Sequence, residues 1–266
     1  MDFDFEHIAV PFRMQPGLKR LQPGARQLTA LVPESPLWRE KRAVLEAGVS
    51  RHAVPGFDPG PALAAIASAA QPDIPWAGDA QSPLELTFEE DFAVLDAATG
   101  TLPWLCVCVP SHWAPEDKLG LDFRTLHGPV ADNAVLIAAS EQLVRLATGG
   151  EHWERHVWTI TPSGRYDQHP RRHPRTGWPD TREADTFSSL CFFRAERQTF
   201  IPVREGTRQA VFTIRVMVEP LVEIVDSAAK ARRLHASLAS MSDAVLAYKN
   251  LTAAREPLLK WLESRS

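Results

Sequence analysis

Val211-Phe212-Thr213-Ile214-Arg215-Val216-Met217-Val218 reads as a strand, and the polar residues in its middle set the reading of the chain around it. Side chains of a strand alternate between two faces, so Thr213 and Arg215 share a face with Val211 and Met217. A mid-strand arginine needs a partner if it is buried. The nearest candidate is Glu196, in Arg194-Ala195-Glu196-Arg197-Gln198-Thr199-Phe200, where charged and amide residues interrupt an otherwise apolar, strand-rich region. Two readings stay open, an ordinary cross-strand ion pair or a polarised pocket wall, and spacing alone leans to the first.

Working outward, strands are expected at His156 to Ile160, Phe187 to Ala195 and Gln209 to Val218, and earlier at Leu102 to Val109. Leu84 to Phe88 and Phe92 to Asp96 are further candidates, with Glu89-Glu90-Asp91 interrupting them. Ser35-Pro36, a good N-cap followed by proline at the first helical position, starts a helix towards Gly48. A second helix starts near Pro61 and continues through Ala62 to Ala70, and Gln71 to Pro83 is an irregular connection. Asp132 is read as the cap of a helix with Leu136, Ala139, Leu143 and Leu146 at helical spacing, ended by Gly149-Gly150. Ala231, Leu234, Leu238, Met241, Val245 and Tyr248 form one apolar stripe, a core or subunit contact, and a last helix surrounds Pro257 to Leu262. The fold class is therefore α+β, a mixed or antiparallel sheet with helices packed on it and helical additions at both ends.

The 266 residues are 44% hydrophobic and 23% charged, which suits one globular domain with a sizeable core. A net charge of −4 gives no field that would recruit nucleic acid or an anionic membrane. No apolar run approaches membrane-spanning length. Cys106, Cys108 and Cys191 lack the paired spacing of a zinc site and read as reduced core thiols. With an acidic start, Asp2-Phe3-Asp4-Phe5-Glu6, they point to the cytoplasm. Glycine-rich phosphate loops, a Gly-x-Ser-x-Gly elbow and a His-Glu-x-x-His helix are all absent from the sequence.

In Leu119-Gly120-Leu121-Asp122-Phe123-Arg124-Thr125-Leu126-His127-Gly128-Pro129-Val130, the histidine follows a short helical stretch and precedes Gly-Pro. Glycine lets a large flat group approach the backbone, and proline stiffens the exit. An imidazole so held suits a metal ligand or a general base, although spacing alone favours a helix-end histidine bonding a carbonyl. His169 and His173 lie four apart in the loop Arg165 to Arg175, but Pro170 and Pro174 exclude a regular helix, so the loop reads as solvated and basic. Its arginines suit an acidic partner.

Pro110-Ser111-x-Trp113-x-Pro115-Glu116-x-Lys118-Leu119-Gly120, followed by Leu126-His127-Gly128-Pro129-Val130, resembles the signature of the haem-dependent oxidative N-demethylase family. Arg194-x-Glu196-Arg197-Gln198-Thr199 and Phe212-Thr213-Ile214-Arg215 are similar to its later signature in order and spacing. Glu90-Asp91-Phe92 and the N-terminal run Pro11-Phe12-Arg13-Met14-Gln15-Pro16-Gly17-Leu18-Lys19-x-Leu21 extend the resemblance over nearly the whole chain.

The resemblance implies a single haem domain: a PAS-like core over residues 84–219 whose sheet forms the haem pocket, preceded by a helical and irregular part (1–83) and followed by C-terminal helices (220–266). It implies haem b, with His127 as the iron ligand beside Gly128 and Pro129, and Glu196, Thr199 and Arg215 as a polar distal wall. The implied activity is an oxidoreductase, a monooxygenase that uses O₂ to oxidise a small methylated amine. Electrons would come from separate flavin and iron–sulfur reductase subunits, and a homo-oligomer is left open. Val157 stands where the family has asparagine, in Arg155-His156-Val157-Trp158, and the loop after Ile160 departs from the usual continuation. The alternative class is a non-catalytic gas or redox sensor, or a haem carrier, of PAS-like fold.

Overall fold

The protein is described by a computed structural model, in which residues 2–22, 24–70, 72–76, 83–204 and 206–266 are placed. The expected irregular connection, Gln71 to Pro83, lies largely outside the described residues.

Among the described residues, seven strands form one open sheet. They are β1 (Lys19–Arg20), β2 (Arg51–Ala53), β3 (Glu90–Asp96), β4 (Thr101–Cys106), β5 (Trp153–Thr161), β6 (Phe192–Pro202) and β7 (Gln209–Pro220). Their spatial order is β1-β5-β6-β7-β3-β4-β2, with every neighbouring pair antiparallel. Of the two sheet types expected, the purely antiparallel one is found. The longest ladder, β6 with β7, runs without a break from Phe192 opposite Pro220 to Pro202 opposite Ala210.

Several boundaries follow tertiary partners instead of local pattern. Leu84–Thr87 is a helical turn instead of a strand, and Thr87 Oγ1 donates back to the Pro83 carbonyl at 3.0 Å. Glu90 and Asp91 open β3 instead of interrupting it. Both carboxylates are buried and partnered: Glu90 accepts from the Thr29 amide at 2.9 Å, and Asp91 lies 3.2 Å from the Lys41 ammonium. Ala184–Ser189 is a helix capped by Glu183, so the strand expected from Phe187 begins only at Phe192 and carries on through the charged run to Pro202. Asp132 does not cap a helix; it has φ 53° and accepts from Ser242 Oγ at 2.9 Å. The helix expected behind it is two, Ala134–Ala138 and Ser140–Ala147. The C-terminal stripe is likewise split into Ala228–Ala239 and Asp243–Tyr248, each N-capped by a serine, Ser227 and Ser242.

Both faces of the sheet are covered. The 153–202 hairpin region turns Trp158, Ile160, Phe193 and Ala195 towards the C-terminal helices, where they share a core with Leu234, Leu258 and Trp261. On the same face, Phe92, Val94, Ile201 and Val211 meet Ile66 of the helix Gly60–Ala70. The other face receives the crossover from β4 to β5, and Leu95 and Phe200 pack there against Phe123, Val144 and Ala147. The helix Pro36–Glu46 joins this crossover face through Leu37 and Val44 on Ile214 and Val216. Beyond Glu154, no strand pairs with the outer side of β5 among the described residues. There Lys249 Nζ donates to the Trp158 carbonyl at 2.7 Å and lies over the Trp158 and Phe12 rings. Cys106, Cys108 and Cys191 are buried and free, as expected of core thiols. Among the described residues, no helix is long and apolar enough to cross a membrane.

Candidate functional site

The crossover face assembles one constellation of polar groups from segments far apart in sequence. Pro110 ends the apolar run of β4, and the chain turns at His112, which takes a left-handed backbone with φ 61°. Non-glycine residues adopt that region at a cost, and here it accompanies the return of Ser111 over the sheet. Ser111 Oγ accepts from Arg194 Nε at 2.8 Å and donates to Glu196 Oε1. Gln198 Nε2 donates to Glu196 Oε2 at 2.6 Å. Arg194, 1% exposed, is anchored further by the carbonyls of Val109 and Arg165. Each oxygen of Glu196 therefore has one fixed donor and a spare lone pair, on a half-buried side chain. A charged guanidinium linked through a hydroxyl to a carboxylate suits a site that must hold an anion in a set orientation.

His127 is the last residue of the helix Phe123–His127, which Asp122 caps by accepting from the Thr125 amide. Its Nδ1 lies 2.8 Å from the Phe123 carbonyl, as a helix-end histidine would. A carbonyl can only accept, so the neutral ring carries its proton on Nδ1 and presents a lone pair at Nε2. No hydrogen bond reaches Nε2 from the described residues. Burial, then the charges of Arg155 and Lys118, lower the His127 pKa against the pull of the Phe123 carbonyl, which favours the neutral ligand form. The ring stacks on Phe123 at 4.0 Å, Phe123 and Phe200 both pack on the cluster of Leu95, Val144 and Ala147, and Phe200 stacks on Phe212 at 5.0 Å. The histidine and the sheet face that bears Glu196 thus share one apolar cluster. Gly128 has helical backbone and is exposed, and a Cβ there would meet only ordinary contacts, so the fold does not itself demand glycine. Pro129 is exposed beside it.

The other two expected wall residues lie elsewhere. β6 and β7 pair without a bulge, so residues 194, 196 and 198 face one way and 195, 197 and 199 the other. Thr199 is buried on the face opposite Glu196, bonded to Thr213 Oγ1 at 2.7 Å and reached by Gln27 Nε2 at 3.3 Å. Arg215, on the same strand face as Thr213, pairs with Glu89 at 2.6 Å. The expected pairing of Arg215 with Glu196 is not made, because the two side chains leave the sheet on opposite sides. What joins Glu196 instead is Ser111, Arg194 and Gln198. The period of two in Arg194-x-Glu196-x-Gln198 signals their common face, whereas nothing local announces Ser111, 85 residues from Glu196 in the chain.

The loop Arg165 to Arg175 is not solvated at its core. Asp167, Gln168 and His169 are buried. His169 Nδ1 accepts from the Arg171 amide, so Nε2 carries the proton and donates to Glu116 at 3.1 Å. Arg171 pairs with Glu116 and Asp117, and Arg172 with Asp167 and the Cys108 carbonyl. These arginines fasten the loop to the segment after β4 and are spent on internal partners. Neither histidine joins a metal site: among the described residues no three His, Cys, Asp or Glu side chains come together as a cage for an ion. A metal met by His127 would have to bring its remaining ligands with it, as the iron of a porphyrin does.

Comparison with known families gives one finding. The family model described as haem-dependent oxidative N-demethylase, alpha subunit-like, matches residues 69–259.

Proposed function

We propose, from the premise that the chain belongs to the haem-dependent oxidative N-demethylase alpha subunit-like family, that it binds haem at His127 and oxidises a small methylated amine with O₂ at the face carrying Glu196. The observation that carries this reading is the bare Nε2 of His127, its tautomer set by the Phe123 carbonyl. The residues fit the group: a single neutral imidazole, aromatic rings at Phe123, Phe200 and Phe212, and fixed charged groups on the facing strands. The strand order supports a PAS-like reading. Counting from β3, the five long strands lie in the order third, fourth, fifth, first, second, with a helical crossover between second and third.

When bound, the haem iron would supply the oxygen activation and electron transfer that no side chain provides. Overall, R–NH–CH₃, O₂, two electrons and two protons give R–NH₂, formaldehyde and water. The electrons would come from a separate flavin and iron–sulfur reductase. Glu196 would bind the amine through its spare lone pairs and accept a proton from the ammonium form. Ser111 and Gln198 keep the carboxylate from rotating away, and Arg194 holds Ser111. Thr199 and Arg215 would support β6 and β7 from the far face.

The test is the absorption spectrum of the purified protein before and after adding haem, with amine-dependent oxygen consumption measured in the presence of an electron donor. A Soret band absent from His127→Ala is expected. Protein that remains colourless with haem in excess sinks the reading, and haem binding without amine turnover would leave a sensor or carrier.

A further inference from the structure

Arg155 stands on β5 directly opposite Gln198, and its neighbour on the same face, Val157, is opposite Glu196. It is half-buried, and its Nε is shut off from water with no hydrogen-bond partner. No ion pair or hydrogen bond is made by its guanidinium among the described residues. The arginines around it are all tied: Arg194 to Ser111 and two carbonyls, Arg197 to Glu154 and the Arg26 carbonyl. Glu196, the acid whose charge acts most on Arg155, spends its fixed hydrogen bonds on Ser111 and Gln198. The Arg155 charge also bears on His127, so the guanidinium lies within electrostatic reach of both ends of the proposed site. Burial pulls its pKa below the ordinary arginine value against the opposing charges of Glu196 and Tyr248. A buried, unpaired Nε is costly, and the planar fork of donors it belongs to matches a carboxylate in two parallel hydrogen bonds.

We propose that Arg155 is an anion anchor of this face and takes a carboxylate, carried either by the porphyrin edge or by an N-methylated amino acid substrate. The first source deepens the haem reading and rests on it; the second requires only the pocket. Where the substrate carries the carboxylate, Arg155 orients it and Glu196 receives its ammonium end; where the porphyrin does, Arg155 orients the porphyrin edge.

Wild type, Arg155→Gln and Arg155→Lys are compared as the full chain, with circular dichroism melting to confirm folding. Each is titrated with haem, with iron-free protoporphyrin IX, and with the dimethyl ester of each, followed by absorption and tryptophan quenching. Dimethylglycine and dimethylamine are then titrated into each protein. Loss of two charge-assisted hydrogen bonds predicts ~10- to 100-fold weaker binding of the carboxylate-bearing ligand in Arg155→Gln. Arg155→Lys, which keeps the charge without the fork, should fall between. Selective weakening of the free-acid porphyrins assigns the carboxylate to the porphyrin, and selective weakening of dimethylglycine assigns it to the substrate. Equal loss of acid and ester forms, unchanged binding of all of them, or a wild type that binds no carboxylate overturns the proposal. If wild type refuses haem yet discriminates protoporphyrin from its ester through Arg155, the proposed function fails and the anchor stands.

Discussion

Nδ1 of His127 lies 2.8 Å from the carbonyl oxygen of Phe123, one helical turn back, and this contact makes the ring a ready ligand. The proton is committed to Nδ1, and burial lowers the ring's pKa below the ordinary 6.5. Protonation that would destroy the Nε2 lone pair is therefore deferred to more acid solution than for a free histidine. Haem uptake by wild type should hold its strength as pH falls from 7 to 6, and His127→Ala should lose the Soret band with its melting temperature little changed. A titration in which affinity already halves near pH 6.5 would refute the lowered pKa of the ring.

Glu196 and Thr199 give opposite expectations, since they leave β6 on opposite faces. Glu196→Gln should keep the fold and haem uptake and abolish amine-dependent oxygen consumption. Thr199→Val removes the hydroxyl that bonds Thr213 Oγ1 and accepts from Gln27 Nε2, while Gln27 keeps the Phe200 carbonyl, and should cost about 1 kcal/mol of stability in urea unfolding, with amine affinity unchanged. Amine affinity that collapses in Thr199→Val would show that Thr199 reaches the pocket.

Lys41 is fully buried beside Asp91 and donates to the carbonyls of Phe88, Glu89 and Glu90. Burial by itself would lower the Lys41 pKa, but Asp91, with the neighbouring Cys108 and Cys106, holds the ammonium above its ordinary value. Lys41→Met strands a buried carboxylate together with three carbonyls at the start of β3, and should cost about 3–5 kcal/mol. Urea denaturation measures this directly; a loss within the scatter of surface substitutions would refute the role given to the pair.

His7 and His156 stack at 3.8 Å with their planes 6° apart, pinning the segment Phe5–His7 to the sheet. Burial, then the charges of His7 and Arg197, push His156 down to about 4, and burial also lowers His7. Asp4, Glu154 and Lys19 complete the charges around the pair. The unfolded chain takes up these protons near 6.5, so between 6.5 and about 4 it binds more protons than the folded chain. Stability contributed here is complete above 6.5 and falls as pH drops towards 4. His156→Phe should flatten that acid limb of the urea midpoint, and an equal slope in both proteins would count against the pair as its cause.

Legibility in the sequence depended on how far away each determinant lay. Gln209 to Val218 alternates cleanly, and β7 is found where the pattern put it, two residues longer. β1 and β2, two and three residues long, are too short for any period to register. Glu89-Glu90-Asp91 looked like a break because the partners that allow Glu90 and Asp91 into a strand, Thr29 and Lys41, come from tertiary packing. Glu196 stood out, and a strict period of two over 194–200 separates it from Thr199, but the place of Ser111 and the unpaired state of Arg155 exist only once β5 pairs with β6 and the segment after β4 folds back over them.

Lys249 on the Trp158 carbonyl has a consequence for assembly. An outer strand with open main-chain groups invites a second chain to add itself to the sheet, and a lysine seated there discourages it. Any partner chain would have to find this protein by shape and side chain instead of extending its sheet along β5. The residue therefore sets a charge against templated growth along this edge.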